Sequence, residues 1–148
     1  MAGAKEVTLL TGFLGAGKTT LLNCIIAKKT ELRFAVIENE IGAENIDAEL
    51  IVNTALPISE LQNGCLCCSL SEDIFEVLNQ LWDQRESWDH LIIEATGIAD
   101  PANIAHPFLT NSNVRKGFLL KRVICVVDAE LVEDQLREIP ESISQIAF

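Results

Sequence analysis

The chain has 148 residues, 49% of them hydrophobic and 22% charged, which suits one globular domain with a real core. A net charge of −11 argues against nucleic acid as the main partner, because no basic excess exists to neutralise phosphates. No apolar run reaches the ~18 residues of a membrane span, and Met1–Glu6 lacks the apolar stretch of a secretory signal, so no membrane partner is expected.

Of the five cysteines, three are packed into positions 65 to 68. Such clustering does not resemble a disulfide framework, and a reducing, cytoplasmic setting fits it better.

Val7-Thr8-Leu9-Leu10 is a short apolar run of β type. It leads into Gly12-Phe13-Leu14-Gly15-Ala16-Gly17-Lys18-Thr19, and then into Thr20-Leu21-Leu22-Asn23-Cys24-Ile25-Ile26. The apolar positions 21, 22, 25 and 26 line one face of a helix. Strand, glycine loop and helix in this order form the context of a phosphate-binding loop. The glycines let the backbone curl so that successive N–H groups point at a phosphate, and the helix N-terminus adds partial positive charge. Lys18 would reach the β- and γ-phosphates, and the Thr19 hydroxyl would take a Mg²⁺ position. A nucleoside triphosphate is the expected ligand.

Lys28-Lys29-Thr30-Glu31 reads as a polar turn, and Arg33-Phe34-Ala35-Val36-Ile37 as a buried strand. Glu38-Asn39-Glu40-Ile41-Gly42 would then lie at the strand's C-terminal edge, where open parallel sheets bind ligands. Residues 43 to 57 read as loop, with Pro57 ending a weak Leu50-Ile51-Val52 run. Ile58 to Asn63 is a candidate short strand before the Asn63-Gly64 turn signal. Cys65-Leu66-Cys67-Cys68 follows, and then Ser69 with Glu72 three residues on, a capping-box pattern. Leu70, Ile74, Val77, Leu78 and Leu81 give that helix an apolar face as far as about Gln84. The cysteines thus precede a helix N-terminus, a position that favours thiolate.

Leu91-Ile92-Ile93 is a third buried strand, ending in Glu94-Ala95-Thr96-Gly97. Pro101 opens a further helix with Ile104, Phe108 and Leu109 as expected buried positions. Lys121 to Asp128, centred on Val123-Ile124-Cys125-Val126-Val127, reads as the plainest strand of all. Leu131, Val132 and Leu136 mark a helix that Pro140 stops, and Ile143, Ile146 and Phe148 begin another apolar pattern. Cys24 and Cys125 read as core packing, and His90 and His106 as ordinary surface or strand-edge residues. Strands alternating with helices imply an α/β fold, a doubly wound and mainly parallel sheet of P-loop type.

Two constellations accompany the glycine loop. Glu94 ends a buried strand where most P-loop proteins place an Asp to hold Mg²⁺. Being one methylene longer, it would act through a bound water or orient the attacking one, and Gly97 follows where a flexible amide near the γ-phosphate is useful. In an extended segment Cys65 and Cys67 point the same way, and Cys68 joins them only if the chain turns. Thiolates select Zn²⁺, Cu(I) and, less exclusively, Co²⁺ or Ni²⁺. Three sulfurs leave one tetrahedral position for Glu38, Glu40 or water, and such an open site suits transfer of a metal. Redox-active or simply buried thiols are the alternative.

Taken with Thr11 and Thr20 at its ends, the glycine loop, then Glu38-Asn39-Glu40-Ile41-Gly42, Gly64-Cys65-Leu66-Cys67-Cys68 and Glu94-Ala95-Thr96-Gly97, resembles the CobW family of P-loop GTPases, in particular its bacterial YjiA-type members. The resemblance runs over essentially the whole chain. It implies that Gly12, Gly15, Ala16, Gly17, Lys18, Thr19 and Thr20 hold GTP with Mg²⁺ at Thr19. It further implies that Glu94 is the family's catalytic glutamate, that Asn39-Glu40 with Asp47 form the first switch, and that the cysteines hold a transition metal, zinc or cobalt first. The implied function is a GTP-hydrolysing metallochaperone that passes its metal to a client protein or a cobalamin pathway. The family's guanine-reading Asn-Lys-x-Asp motif and second domain have no match here, so residues 1–148 are expected to form one incomplete GTPase domain. A P-loop nucleotide or small-molecule kinase and a passive metal-binding module are the competing readings. The kinase reading gives neither the cysteine motif nor Glu94-Ala95-Thr96-Gly97 a task, and triphosphate turnover separates the metal-binding module from a GTPase.

Overall fold

The computed structural model describes residues 3–38 and 73–148. Its strands are β1 (Lys5–Thr11), β2 (Phe34–Glu38), β3 (His90–Glu94) and β4 (Phe118–Cys125). Its helices are α1 (Lys18–Lys28), α2 (Asp73–Asp83), α3 (Pro101–Thr110), α4 (Ser112–Gly117), α5 (Val132–Glu138) and α6 (Pro140–Ala147). The four strands form one sheet in the order β2-β3-β1-β4, every pairing parallel.

Parallel strands covered on both faces read as continuous apolar runs, and their alternation divides the core. Val7, Leu9, Ala35, Ile37, Leu91 and Ile93 meet Ile74, Val77, Leu78 and Leu81 of α2 and Ile104, Ala105 and Phe108 of α3 on one face. Leu10, Phe34, Val36 and Ile92 meet Leu22 of α1 on the other. Burying each such aliphatic side chain contributes about 1.5–3 kcal/mol. Trp88, wholly buried, anchors the first face: its indole N–H donates to the Leu81 carbonyl at 2.9 Å, and its ring stacks on Phe118.

β1, β2 and β3 match the expected strands to within a few residues. β4 instead begins at Phe118, three residues before Lys121. The ladder steps from Val7–Leu120 to Thr8–Arg122, so Lys121 bulges out, and its ammonium donates to Glu6 at 2.8 Å. The bulge interrupts the apolar run with two cations, which hides the strand's first half in the sequence. Val126 extends the pairing by one bond, its N–H donating to the Thr11 carbonyl at 2.8 Å. The Asp128 carboxylate then accepts from the Glu130 and Leu131 amides and turns the chain into α5.

Leu109 is exposed, as are Ile143, Ile146 and Phe148, while Ser142 and Gln145 carry the buried face of α6. Pro140 ends α5 and also opens α6, where its missing N–H costs nothing. Cys24 is exposed and Cys125 only half-buried, so neither is a core residue. His90 opens β3 half-buried, with Thr8 Oγ1 2.9 Å from its Nε2, and burial lowers its pKa. The expected strand Ile58 to Asn63 and the expected capping box of Ser69 and Glu72 lie outside the described residues. No helix of the described residues is long and apolar enough to cross a membrane.

Candidate nucleotide site at the sheet edge

β1, β2 and β3 all end at one edge of the sheet, and the site is assembled there. β1 ends at Thr11 and the chain curls through residues 12–17 before α1 begins. The curl needs glycine at three places: Gly12, Gly15 and Gly17 have φ of 133°, 76° and 96°. Gly12 is also pressed against the Val126 carbonyl, where a Cβ would collide. A bond from the Ala16 amide to the Phe13 carbonyl closes the turn inside the loop.

Gly17 is the N-cap of α1 and carries no capping side chain. The first turn of the helix therefore offers its amides to whatever anion lies in the loop. Lys18 is buried, 8% exposed, and its ammonium donates to the carbonyls of Gly12 at 2.8 Å and Phe13 at 3.1 Å. The one cation of the loop is thus folded back over the cradle that the glycines make. Thr19 donates its hydroxyl to Oε1 of Glu94 at 2.8 Å, linking α1 to the end of β3. Glu38 ends β2 in register with Glu94, so two carboxylate residues sit on adjacent strands at the same edge. Hydroxyl and carboxylate oxygens are the hard donors that Mg²⁺ takes, so this pair fits the ion.

Gly97 closes the site from the side. Its Cα faces the glycine loop so closely that a Cβ would come within 2.8 Å of Leu14 Cα. Residues 96–99 form a turn in which the Ala99 amide donates to the Thr96 carbonyl at 3.0 Å. Asp100 then caps α3 by accepting from the Ala102 amide at 2.9 Å. Cys125, half-buried at the end of β4, has its thiol pKa pushed up by burial, an effect that the nearby Lys18 charge offsets only in part.

The structure brings Gly12, Gly15, Ala16, Gly17, Lys18, Thr19, Thr20, Glu94, Gly97 and Glu38 to this edge. Glu40, Asp47, Cys65, Cys67 and Cys68 lie outside the described residues. Among the described residues, no group of three or more His, Cys, Asp or Glu side chains could hold a metal ion. Gln145, which reaches the Gly97 turn from α6, escapes sequence reading: a lone glutamine in an amphipathic run carries no signal.

A parallel sheet, a glycine loop holding its own lysine, and a strand-end carboxylate joined to the following threonine define a doubly wound α/β domain of P-loop type. The family model for the CobW/HypB/UreG nucleotide-binding domain matches residues 6–148. The zinc chaperone YjiA of Escherichia coli strain K12 is 42% identical over 146 residues, covering 96% of this chain and 46% of that protein. The zinc chaperone CobW of Pseudomonas aeruginosa is 38% identical over 135 residues, covering 85% and 36%. The crystal structure of Zn(II)-bound YjiA GTPase from E. coli superposes with a TM-score of 0.68 at 36% identity, over 99% of this chain and 48% of that one. The chain belongs to the CobW/HypB/UreG family, and it spans about half the length of YjiA.

Proposed function

We propose that residues 1–148 act as the nucleotide-binding domain of a GTP-hydrolysing metallochaperone. The observation that carries this reading is the Lys18 ammonium folded over the glycine loop beside the Thr19–Glu94 hydrogen bond. On binding, Lys18 would exchange two loop carbonyls for phosphate oxygens, and the amides of residues 15–19 would cradle the phosphates. Thr19, with Glu94 behind it, would hold Mg²⁺, which when bound neutralises charge developing on the phosphates. Glu94 is also placed to orient the attacking water, and Gly97 to offer its amide to the γ-phosphate.

The transfer function is supported by the relatives named zinc chaperones and by the zinc-bound YjiA structure. Zinc, or cobalt as a close second, would be the cargo of Cys65, Cys67 and Cys68, with Glu38 or Glu40 as the further ligand and Asp47 with Glu40 in the nucleotide switch. The partner would be a client metalloprotein in the cytoplasm, where thiolates stay reduced. Incubated with GTP and Mg²⁺, the chain should yield GDP and free phosphate in equal amounts, and Thr19→Ala should remove the Mg²⁺ dependence along with most of the activity. Phosphate appearing on a second small molecule would support a kinase instead, and absence of any binding or turnover would contradict the nucleotide reading.

A further inference from the structure

The helix α6 is built the wrong way round for ordinary packing. Its aliphatic Ile143 and Ile146 are 52% and 46% exposed, whereas polar Ser142 and Gln145 are 3% and 2% exposed. Burying an amide is costly unless it is hydrogen-bonded, so an apolar residue would serve packing better. The Gln145 amide is spent on one target. Its Nε2 donates to the Gly97 carbonyl at 2.8 Å and to the Ala99 carbonyl at 3.3 Å. Both belong to the turn that packs on Leu14 of the glycine loop. Across a sequence separation of 48 residues, α6 therefore grips the segment that faces the phosphate cradle.

The grip completes the fixing of that turn. The Ala99 amide closes it onto the Thr96 carbonyl, the Ile98 amide approaches Thr96 Oγ1 at 3.4 Å, and Asp100 pins its far end to α3. With the Gly97 and Ala99 carbonyls both held by Gln145, the turn is fixed where it packs on Leu14 of the loop. The other side of the amide is in reserve. Gln145 Oε1 and Ser142 Oγ are buried and have no hydrogen-bond partner among the described residues. A glutamine offers both donor and acceptor, so it can hold the Gly97–Ile98 peptide in either orientation.

We propose that Gln145 is the positioning residue that holds the Thr96–Ala99 turn ready for the γ-phosphate, and so sets how strongly the domain prefers triphosphate to diphosphate. This rests on the nucleotide site proposed above. A diphosphate leaves the turn untouched, whereas a triphosphate gains its contact at low ordering cost only if the turn is already placed.

The test measures affinities of the 148-residue chain for GDP and for a non-hydrolysable GTP analogue, both with Mg²⁺, in the parent, Gln145→Met and Gln145→Glu. Methionine keeps the shape of the side chain and removes the donors; glutamate places acceptors against two carbonyls. The triphosphate analogue should bind Gln145→Met roughly tenfold more weakly, the worth of about one hydrogen bond, and Gln145→Glu more weakly still. GDP affinity should stay within about twofold in both. Equal weakening of both nucleotides would reduce Gln145 to a structural role, and unchanged affinities would leave it none; either overturns the proposal. A parent chain that binds neither nucleotide would overturn the nucleotide site itself, and this inference with it.

Discussion

Replacing Lys18 by alanine is expected to weaken triphosphate binding roughly 100-fold, with hydrolysis lost at ordinary substrate concentrations. Lys18 supplies the one side-chain cation of the loop, and its ammonium already makes two charge-assisted bonds, to the Gly12 and Phe13 carbonyls. Hydrogen bonds to charged groups are worth about 1.5–3 kcal/mol each, and exchanging carbonyl for phosphate partners strengthens both. A net loss of about 3 kcal/mol corresponds to that 100-fold. Because Lys18 is buried against the loop, Lys18→Met belongs beside it, keeping the aliphatic stem while removing the charge. Titration calorimetry with a triphosphate analogue, paired with a thermal melt, separates lost charge from lost fold. Normal affinity in a folded Lys18→Met variant would contradict the phosphate-site assignment.

Replacing Cys67 by alanine should lower zinc affinity by about 100- to 1,000-fold. The motivation is the spacing of Cys65, Cys67 and Cys68, in which Cys67 is the thiol able to chelate with either neighbour. Structural zinc is held by roughly 10–16 kcal/mol, so one thiolate in three or four accounts for several kcal/mol. Cys24 and Cys125 supply the controls. Cys24 lies on the exposed side of α1, and burial raises the pKa of the half-buried Cys125 thiol, so Cys125 is a poor ligand at neutral pH. Competition against a chelator of known affinity reads the difference. Equal zinc affinity in Cys67→Ala and Cys24→Ala would remove the cysteine motif from the metal site.

The sheet and the glycine loop were legible because their signals are local. Buried parallel strands such as Leu91-Ile92-Ile93 are apolar without interruption, and the loop's glycines answer to φ values that other residues adopt only with strain. Legibility failed where a tertiary contact overrides the pattern. β4 loses its first half to the bulge at Lys121, since two adjacent cations look like a strand boundary. The short α4 has too few residues for a period to show; its start is set by Asn111, whose carboxamide accepts from the Asn113 and Val114 amides. In α6 the periodicity of Ile143 and Ile146 points to the wrong face, because Gln145 is buried against the backbone carbonyls of a distant turn. The pairing of Glu38 with Glu94 was half legible: both strand ends could be read, but not that they are neighbours in register.

That pairing bears on how a chaperone would load and release its metal. Adjacent parallel strands run roughly 4.8 Å apart, so the residue proposed as a metal ligand borders the one proposed behind Mg²⁺. A γ-phosphate that draws on Thr19 and Glu94 would then alter the setting of Glu38, and the two sites would share a coupling free energy. The decisive measurement is zinc affinity of the chain, by chelator competition, with a non-hydrolysable GTP analogue bound and with GDP bound. A nucleotide-driven metallochaperone requires the two affinities to differ by a factor of about 5–150, with zinc shifting the nucleotide preference by the same factor. Identical zinc affinities in the two nucleotide states would leave two independent sites on one domain and contradict it.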